Sequence, residues 1–236
     1  MRQQPAITVA ASLRAIRERI AAACVRSARE YANVVLIGAS KRQPLETLAA
    51  AHRAGLCVFG ENHVQEAEEK SSRLPTSIDW HLIGPLQSNK ARRAVALFAA
   101  VHSVDRLKIA RKLDREADRA GRRLDVFVQF NLGDEESKSG FAPHEIDACL
   151  EILGYQALRV RGLMTIPPPT PTPEGARPWL RQLRELRDRV AQRSEDGGLE
   201  FGGALSMGMS SDFEIAIEEG ATHVRVGSAL FGERPE

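Results

Sequence analysis

The chain has 236 residues, 43% hydrophobic and 27% charged, a balance that suits one medium-large globular domain with a full core. Its 33 Lys and Arg against 31 Asp and Glu leave a formal net charge of +2, which argues against nucleic acid or an anionic membrane as the main partner. No apolar run reaches bilayer length, and the N-terminal "MRQQPAITVAASLRAIRERI" passes too quickly into an Arg-rich stretch to read as a cleavable signal. Cys24, Cys57 and Cys149 are far apart and include no Cys-x-x-Cys pair, so a reducing, cytoplasmic location is expected.

Residues 1–33 read as an N-terminal extension with an outer helix, and residues 34–236 as a single further unit with no second domain. Short apolar runs then recur at Val34–Ala39, Cys57–Phe59, Trp80–Ile83, Val101–Ser103, Asp125–Phe130, Leu158–Ile166, Ala204–Ser206 and Thr222–Val226. They mostly lack polar alternation, as strands covered on both faces do. Amphipathic stretches separate them. Leu107, Ala110, Leu113 and Ala117 repeat at helical spacing before Gly121, and Trp179, Leu183, Leu186 and Val190 do the same. About eight β-then-α units in a chain of this length predict an α/β fold, a single (β/α)₈ TIM-type barrel with the extra helix outside. "IPPPTPTPEGARP" reads as a Pro-rich loop on the rim.

In such a barrel the residues that follow each strand build the site. Here they are Ser40-Lys41, Gly60-Glu61-Asn62, Gly84 to Lys90, Asn131 to Gly140, Met164-Thr165, Gly208 to Asp212, and Gly227-Ser228. The polar chemistry therefore collects on one face. A lysine ending an apolar strand, as Lys41 does, either snorkels to water or serves as a desolvated amine nucleophile. Position alone favours the first reading. The remaining rim shifts the balance, because "GMSSDFEIAIEEG" and Gly227-Ser228 look like paired anion-binding loops. The alternative for the first of these loops is an ordinary helix N-cap at Ser210 or Ser211. A phosphate cup beside a strand-end lysine suggests a phosphorylated aldehyde or ketone held as an imine. Arg225 lies two residues before Gly227 on the same side of its strand; it either meets a ligand's ring nitrogen or pairs with a neighbouring carboxylate. The histidines show no metal-ligand spacing, and no metal is expected.

The stretches "GASKRQP", "FGENHVQEAEEK", "WHLIGPLQSNK", "FVQFNLGDEESKSGF", "RGLMTIPPP" and "LSMGMSSDFEIAIEEGATHVRVGSALFG" span Gly38 to Gly232. In this the sequence resembles the YggS/PROSC family, the pyridoxal phosphate homeostasis proteins, whose fold is like the barrel domain of alanine racemase. The resemblance implies pyridoxal 5′-phosphate bound to Lys41 as a Schiff base. It also implies phosphate contacts from Ser210, Gly227 and Ser228, the pyridine nitrogen at Arg225, and Asn62 and Met164 in the cofactor pocket. The Pro-rich loop and the N-terminal extension depart from the family pattern without touching these motifs.

Two function classes follow: a cofactor-binding homeostasis protein with no or negligible turnover, or a pyridoxal phosphate-dependent amino-acid racemase. A racemase needs a second acid/base on the far side of the cofactor. The chain's two tyrosines, Tyr31 and Tyr155, precede strands rather than follow them. An arginine at the ring nitrogen also weakens the electron sink. The homeostasis reading is therefore preferred, with a class I aldolase as a weaker third. The partners expected are pyridoxal phosphate, apo-enzymes that use it and amino acids, with the chain acting as a monomer. Lys90 and Lys138 lie on rim loops. They are ordinary solvent lysines in the simpler reading, or second amines that take the aldehyde from Lys41 in the other.

Overall fold

The computed structural model describes residues 8–133 and 139–232. Eight parallel strands close into a barrel in chain order: β1 Val35–Ala39, β2 Val58–Glu61, β3 Asp79–Leu82, β4 Ala100–Val104, β5 Leu124–Gln129, β6 Leu158–Met164, β7 Ala204–Ser206 and β8 His223–Val226. Each strand lies within a residue or two of its sequence expectation. Register between β1 and β8, with Ile37 beside Arg225 and Gly38 beside Val226, closes the sheet.

Nine α-helices surround the strands among the described residues: α1 Val9–Arg26, α2 Leu45–Arg53, α3 Val64–Ser71, α4 Ala91–Leu97, α5 Leu107–Arg119, α6 Ile146–Leu153, α7 Arg177–Asp196, α8 Phe213–Glu218 and α9 Ser228–Phe231. The expected outer helix is α1, capped by the Thr8 hydroxyl, which accepts from Ala11 N. It buries Leu13, Ile16, Ile20 and Ala23 along one stripe. Its polar side is tied to α8 by Arg19–Glu214 and Arg26–Glu218 ion pairs, both at 2.7 Å. Gly121 and Gly220 end α5 and α8 with φ of 63° and 102°, conformations that favour glycine. In α7 the buried stripe runs through Leu180, not Trp179, with Leu183, Leu186 and Val190. The large indole is half-buried at its edge. Among the described residues no helix is long and apolar enough to cross a membrane.

The core is double. Val101, Val126, Val128, Leu163, Leu205, Val224 and Val226 pack outward beneath the helices in one apolar cluster. The residues between them in sequence point into the barrel. The strands mostly lack polar alternation, as expected, but the interior also carries His81, His102, Ser206, His223 and Arg225 beside Phe127. A short strand with one polar residue between aliphatic neighbours keeps an apolar average while aiming that residue at a polar interior.

Gly162 in β6 sits directly against the Ala204 backbone, where a Cβ would strike a carbonyl that no rotamer change can move. Gly162→Ala is expected to remove about 2–3 kcal/mol of stability in urea unfolding, the scale of an overpacked core site. A loss below about 0.5 kcal/mol, typical of surface substitutions, would contradict this packing.

Candidate functional site

The turn after β1 is clamped from below. Ser40 Oγ donates to Glu61 Oε1 at 2.6 Å, and Lys70 Nζ donates to the same oxygen at 2.6 Å. Lys70 also reaches Ser40 O and Glu66 Oε1, each at 2.7 Å, so its three ammonium protons are all used. Glu66 Oε1 in turn accepts from Arg42 N at 2.6 Å, where Arg42 holds a left-handed φ of 59°. Lys41 stands between these two anchored residues, half-buried, on the C-terminal rim of the barrel. Glu61 is fully buried, and its second oxygen makes no hydrogen bond among the described residues. Burial pushes its carboxyl pKa up, against the opposing pull of Lys70 and Ser40.

On the same face lies a cavity of about 380 Å³, within the range of small-molecule sites. Asn62, Ser210, Arg225, Gly227 and Ser228 all line it, as does Ala39, two residues before Lys41. The structure thus brings together five of the seven residues singled out in the sequence. Lys41 is placed at the rim beside them and is not itself among the lining residues. Met164, the last residue of β6, is fully buried opposite Ser206 and does not line the cavity.

The phosphate-loop reading acquires a geometry. Asp212, not a serine, is the N-cap residue of α8, and its carboxylate accepts from Met209 N at 2.6 Å. Ser210 Oγ instead reaches across to the eighth unit, accepting from Gly227 N at 3.1 Å and Ala229 N at 3.3 Å. The Gly227 and Ala229 N–H groups therefore converge on the Ser210 hydroxyl, which lines one edge of the cavity with Gly227 and Ser228. Arg225, 4% exposed, forms its floor. Its Nη1 donates to Ser206 Oγ at 2.8 Å and its Nη2 to Thr165 O at 2.9 Å. Burial pushes the guanidinium down to about 10, with Asp212 opposing, so it stays charged at neutral pH.

A second cavity of about 250 Å³ shares Asn62, Ile83 and Ile166 with the first and extends to Gln129 and Ser139. Lys138 lies outside the described residues. Lys90 ends the short 3₁₀ turn before α4 and lines neither cavity. Tyr31 precedes β1, and Tyr155 precedes β6 with its hydroxyl on Glu151 at 2.7 Å; both belong to the opposite end of the barrel. No group of three or more metal-ligating side chains occurs among the described residues.

Residues 11–235 match the family model described as the alanine racemase N-terminal domain. A pyridoxal phosphate homeostasis protein of Aquifex aeolicus is 43% identical over 93% of this chain and 95% of that protein. One from Pseudomonas aeruginosa is 43% identical over 96% of each. The chain belongs to the pyridoxal phosphate homeostasis protein family. Within that family's solved structures, PipY of Synechococcus elongatus with pyridoxal phosphate bound superposes with a TM-score of 0.79 at 39% identity, over 92% of this chain and 100% of that one. An alanine racemase of Clostridium difficile, 14% identical with a TM-score of 0.70, shares the fold over 57% of its own length.

Two features of this homeostasis-family chain escape sequence reasoning. The first is the Glu61–Lys70–Glu66 clamp, whose members sit inside the quoted "FGENHVQEAEEK"; only the i,i+4 spacing of Glu66 and Lys70 hints at it. The second is the trio His81, His102 and His223, each embedded in an apolar strand, where an imidazole has to find a partner. Lys70→Met would leave Glu61 buried without its cation and should cost about 3 kcal/mol at neutral pH. A buried carboxyl with a raised folded pKa gains stability as pH falls towards its unfolded value, so the deficit should shrink by pH 5. Urea unfolding at pH 7 and pH 5 measures both; an unchanged deficit would show that Glu61 is not the group left behind.

Proposed function

We propose that this protein binds pyridoxal 5′-phosphate as a Schiff base on Lys41 and holds and hands on that cofactor in the cytoplasm, with negligible turnover of amino acids. The observation that carries the reading is a buried, charged arginine flooring a cavity edged by Ser210, Gly227 and Ser228, where the Gly227 and Ala229 N–H groups gather on the Ser210 hydroxyl. A phosphate accepts such donors, and a pyridine nitrogen accepts from a guanidinium. The residues thus fit the group at both of its polar ends.

When bound, pyridoxal phosphate supplies an aldehyde that condenses with a primary amine, with loss of water. Lys41 supplies that amine from a turn that the Glu61–Lys70–Glu66 clamp keeps in place. Ser210, Gly227 and Ser228, with Ala229 N, hold the phosphate, and Asn62 lies beside the ring. Arg225 carries only donors, so it favours an unprotonated ring nitrogen and a poor electron sink. A racemase would also require a second base over the cavity. Both tyrosines belong to the far end of the barrel, which supports the homeostasis reading over the racemase one. The cofactor's acceptors would be apo-enzymes or free amino acids, and the chain acts as a monomer.

Borohydride reduction followed by peptide mass mapping tests the anchor. The native protein with pyridoxal phosphate should carry its label on Lys41, and Lys41→Ala should lose the visible imine band while keeping weak non-covalent binding. Label on another lysine, or an unchanged band in the variant, would overturn the assignment.

A further inference from the structure

Beneath the cavity, side chains from β8, β7, β4 and β3 form one continuous hydrogen-bonded chain through the barrel interior. Arg225 Nη1 donates to Ser206 Oγ at 2.8 Å, Ser206 Oγ meets His102 Nδ1 at 2.7 Å, and His102 Nε2 meets His81 Nδ1 at 2.9 Å. A guanidinium has no lone pair to offer, so the Ser206 oxygen accepts at that contact. Ser206 is fully buried, and His102 Nδ1 is the one acceptor in reach of its proton among the described hydrogen bonds, so the hydroxyl donates there and Nδ1 is unprotonated. His102 accordingly carries its proton on Nε2 and donates it to His81 Nδ1. With a donor-only guanidinium at one end and a single acceptor for the Ser206 proton, the chain runs in one direction.

Each link is held sterically as well. The His102 ring stacks on Phe127 at 4.2 Å between centroids and 18° between planes, and His223 meets the other ring with its edge at 4.9 Å. His102 and Ser206 are fully buried, and His81 is 9% exposed. Burial drives His102 well below its ordinary pKa and His81 down to about 4, so both rings are neutral at pH 7. Two of the guanidinium's donors are thus engaged inside the barrel, by Ser206 and by Thr165 O, while Arg225 still lines the cavity above.

We propose that Ser206, His102 and His81 are positioning residues for the cofactor: the directed chain they form fixes the plane of the Arg225 guanidinium and so the donor it offers to the ring nitrogen. The inference rests on the reading of Arg225 as the ring-nitrogen partner. None of the three need touch the cofactor; they act through Arg225. With Ser206 removed, or no longer held by His102, Nη1 would lose its fixed partner, and the Thr165 carbonyl alone would hold the guanidinium.

The test has two parts. In ¹⁵N-histidine NMR of the protein without added cofactor at pH 7, His102 should be the neutral tautomer protonated on Nε2; an Nδ1-protonated ring or an imidazolium would overturn the chain's direction. Pyridoxal phosphate titrations then read affinity and the position of the bound absorption band, with thermal unfolding of the same variants recorded without cofactor. Ser206→Ala and His102→Leu should each weaken binding by about tenfold, the scale of a lost hydrogen bond to a charged group, and shift the band. His102→Asn, whose amide oxygen can accept where Nδ1 did, should restore most of both. Lower thermal stability with affinity and band unchanged in Ser206→Ala and His102→Leu would reduce the chain to a packing role and sink the proposal. Should His102→Leu fail to fold, Ser206→Ala, which removes a single oxygen, decides alone. Arg225→Leu separates the two claims. If it leaves the band and affinity unchanged, the ring-nitrogen reading itself fails; if it alters them while Ser206→Ala does not, only the positioning role fails.

Discussion

Arg225 places a full positive charge inside a barrel where no carboxylate touches it among the described contacts. Taking such a group out of water costs several kcal/mol unless fixed dipoles replace the lost hydration. Here the dipoles are the Ser206 hydroxyl and the Thr165 carbonyl, with Asp212 acting from further away. A charge in that place also bears on the state of its neighbours. Further cations in the same interior would repel it: burial holds His81, His102 and His223 neutral, the last down to about 3, and Arg225 adds to the effect at His102 and His223, while Asp79 and Asp125 oppose it at His81. The polar interior of this barrel is thus one arrangement organised around one guanidinium.

Barrel closure converts that arrangement into a site. Because β8 hydrogen-bonds to β1, the first and last strands are neighbours, and the Ala39 carbonyl lies beside Gly227. The lysine-bearing turn and the Ser210 and Gly227 loops therefore lie side by side at the cavity's rim, although nearly 190 residues separate Lys41 from Gly227 in sequence. The two sides are stiffened differently. The β1 side relies on a buried ion cluster around Lys70, whereas the β7–β8 side relies on Ser210 bonding to the backbone of the next loop. The outer helix α1 braces the second side through Arg19, which pairs with Glu214 and lies 4.5 Å over the Phe213 ring.

The fold was legible because parallel strands covered on both faces leave compact aliphatic runs, and eight of these with helices between them have few other solutions. The rim residues Asn62, Ser210, Gly227 and Ser228 were legible because a barrel concentrates polar residues after its strands, and Arg225 because it lies two residues before Gly227 on the same side of β8. Periodicity could not show which alternate residue of a short strand points into the barrel, so the histidines of "WHL", "VHS" and "THV" had no assigned place within the strand runs. Nor could spacing show that Lys70, on a helix, reaches back to the Ser40 carbonyl, or that Ser210 serves a neighbouring loop rather than its own helix. These are long-range pairings, and a single sequence records only their members.

In the proposed function the site would hold pyridoxal phosphate rather than catalyse, because Arg225 would offer the ring nitrogen only donors and no tyrosine stands over the cavity. Exchange of the α-proton of L-alanine in deuterated water, followed by NMR with the protein saturated in pyridoxal phosphate, addresses that claim most directly. The account predicts exchange no faster than with the free cofactor at the same concentration. Rapid exchange that disappears in Lys41→Ala would contradict it and make the protein an enzyme.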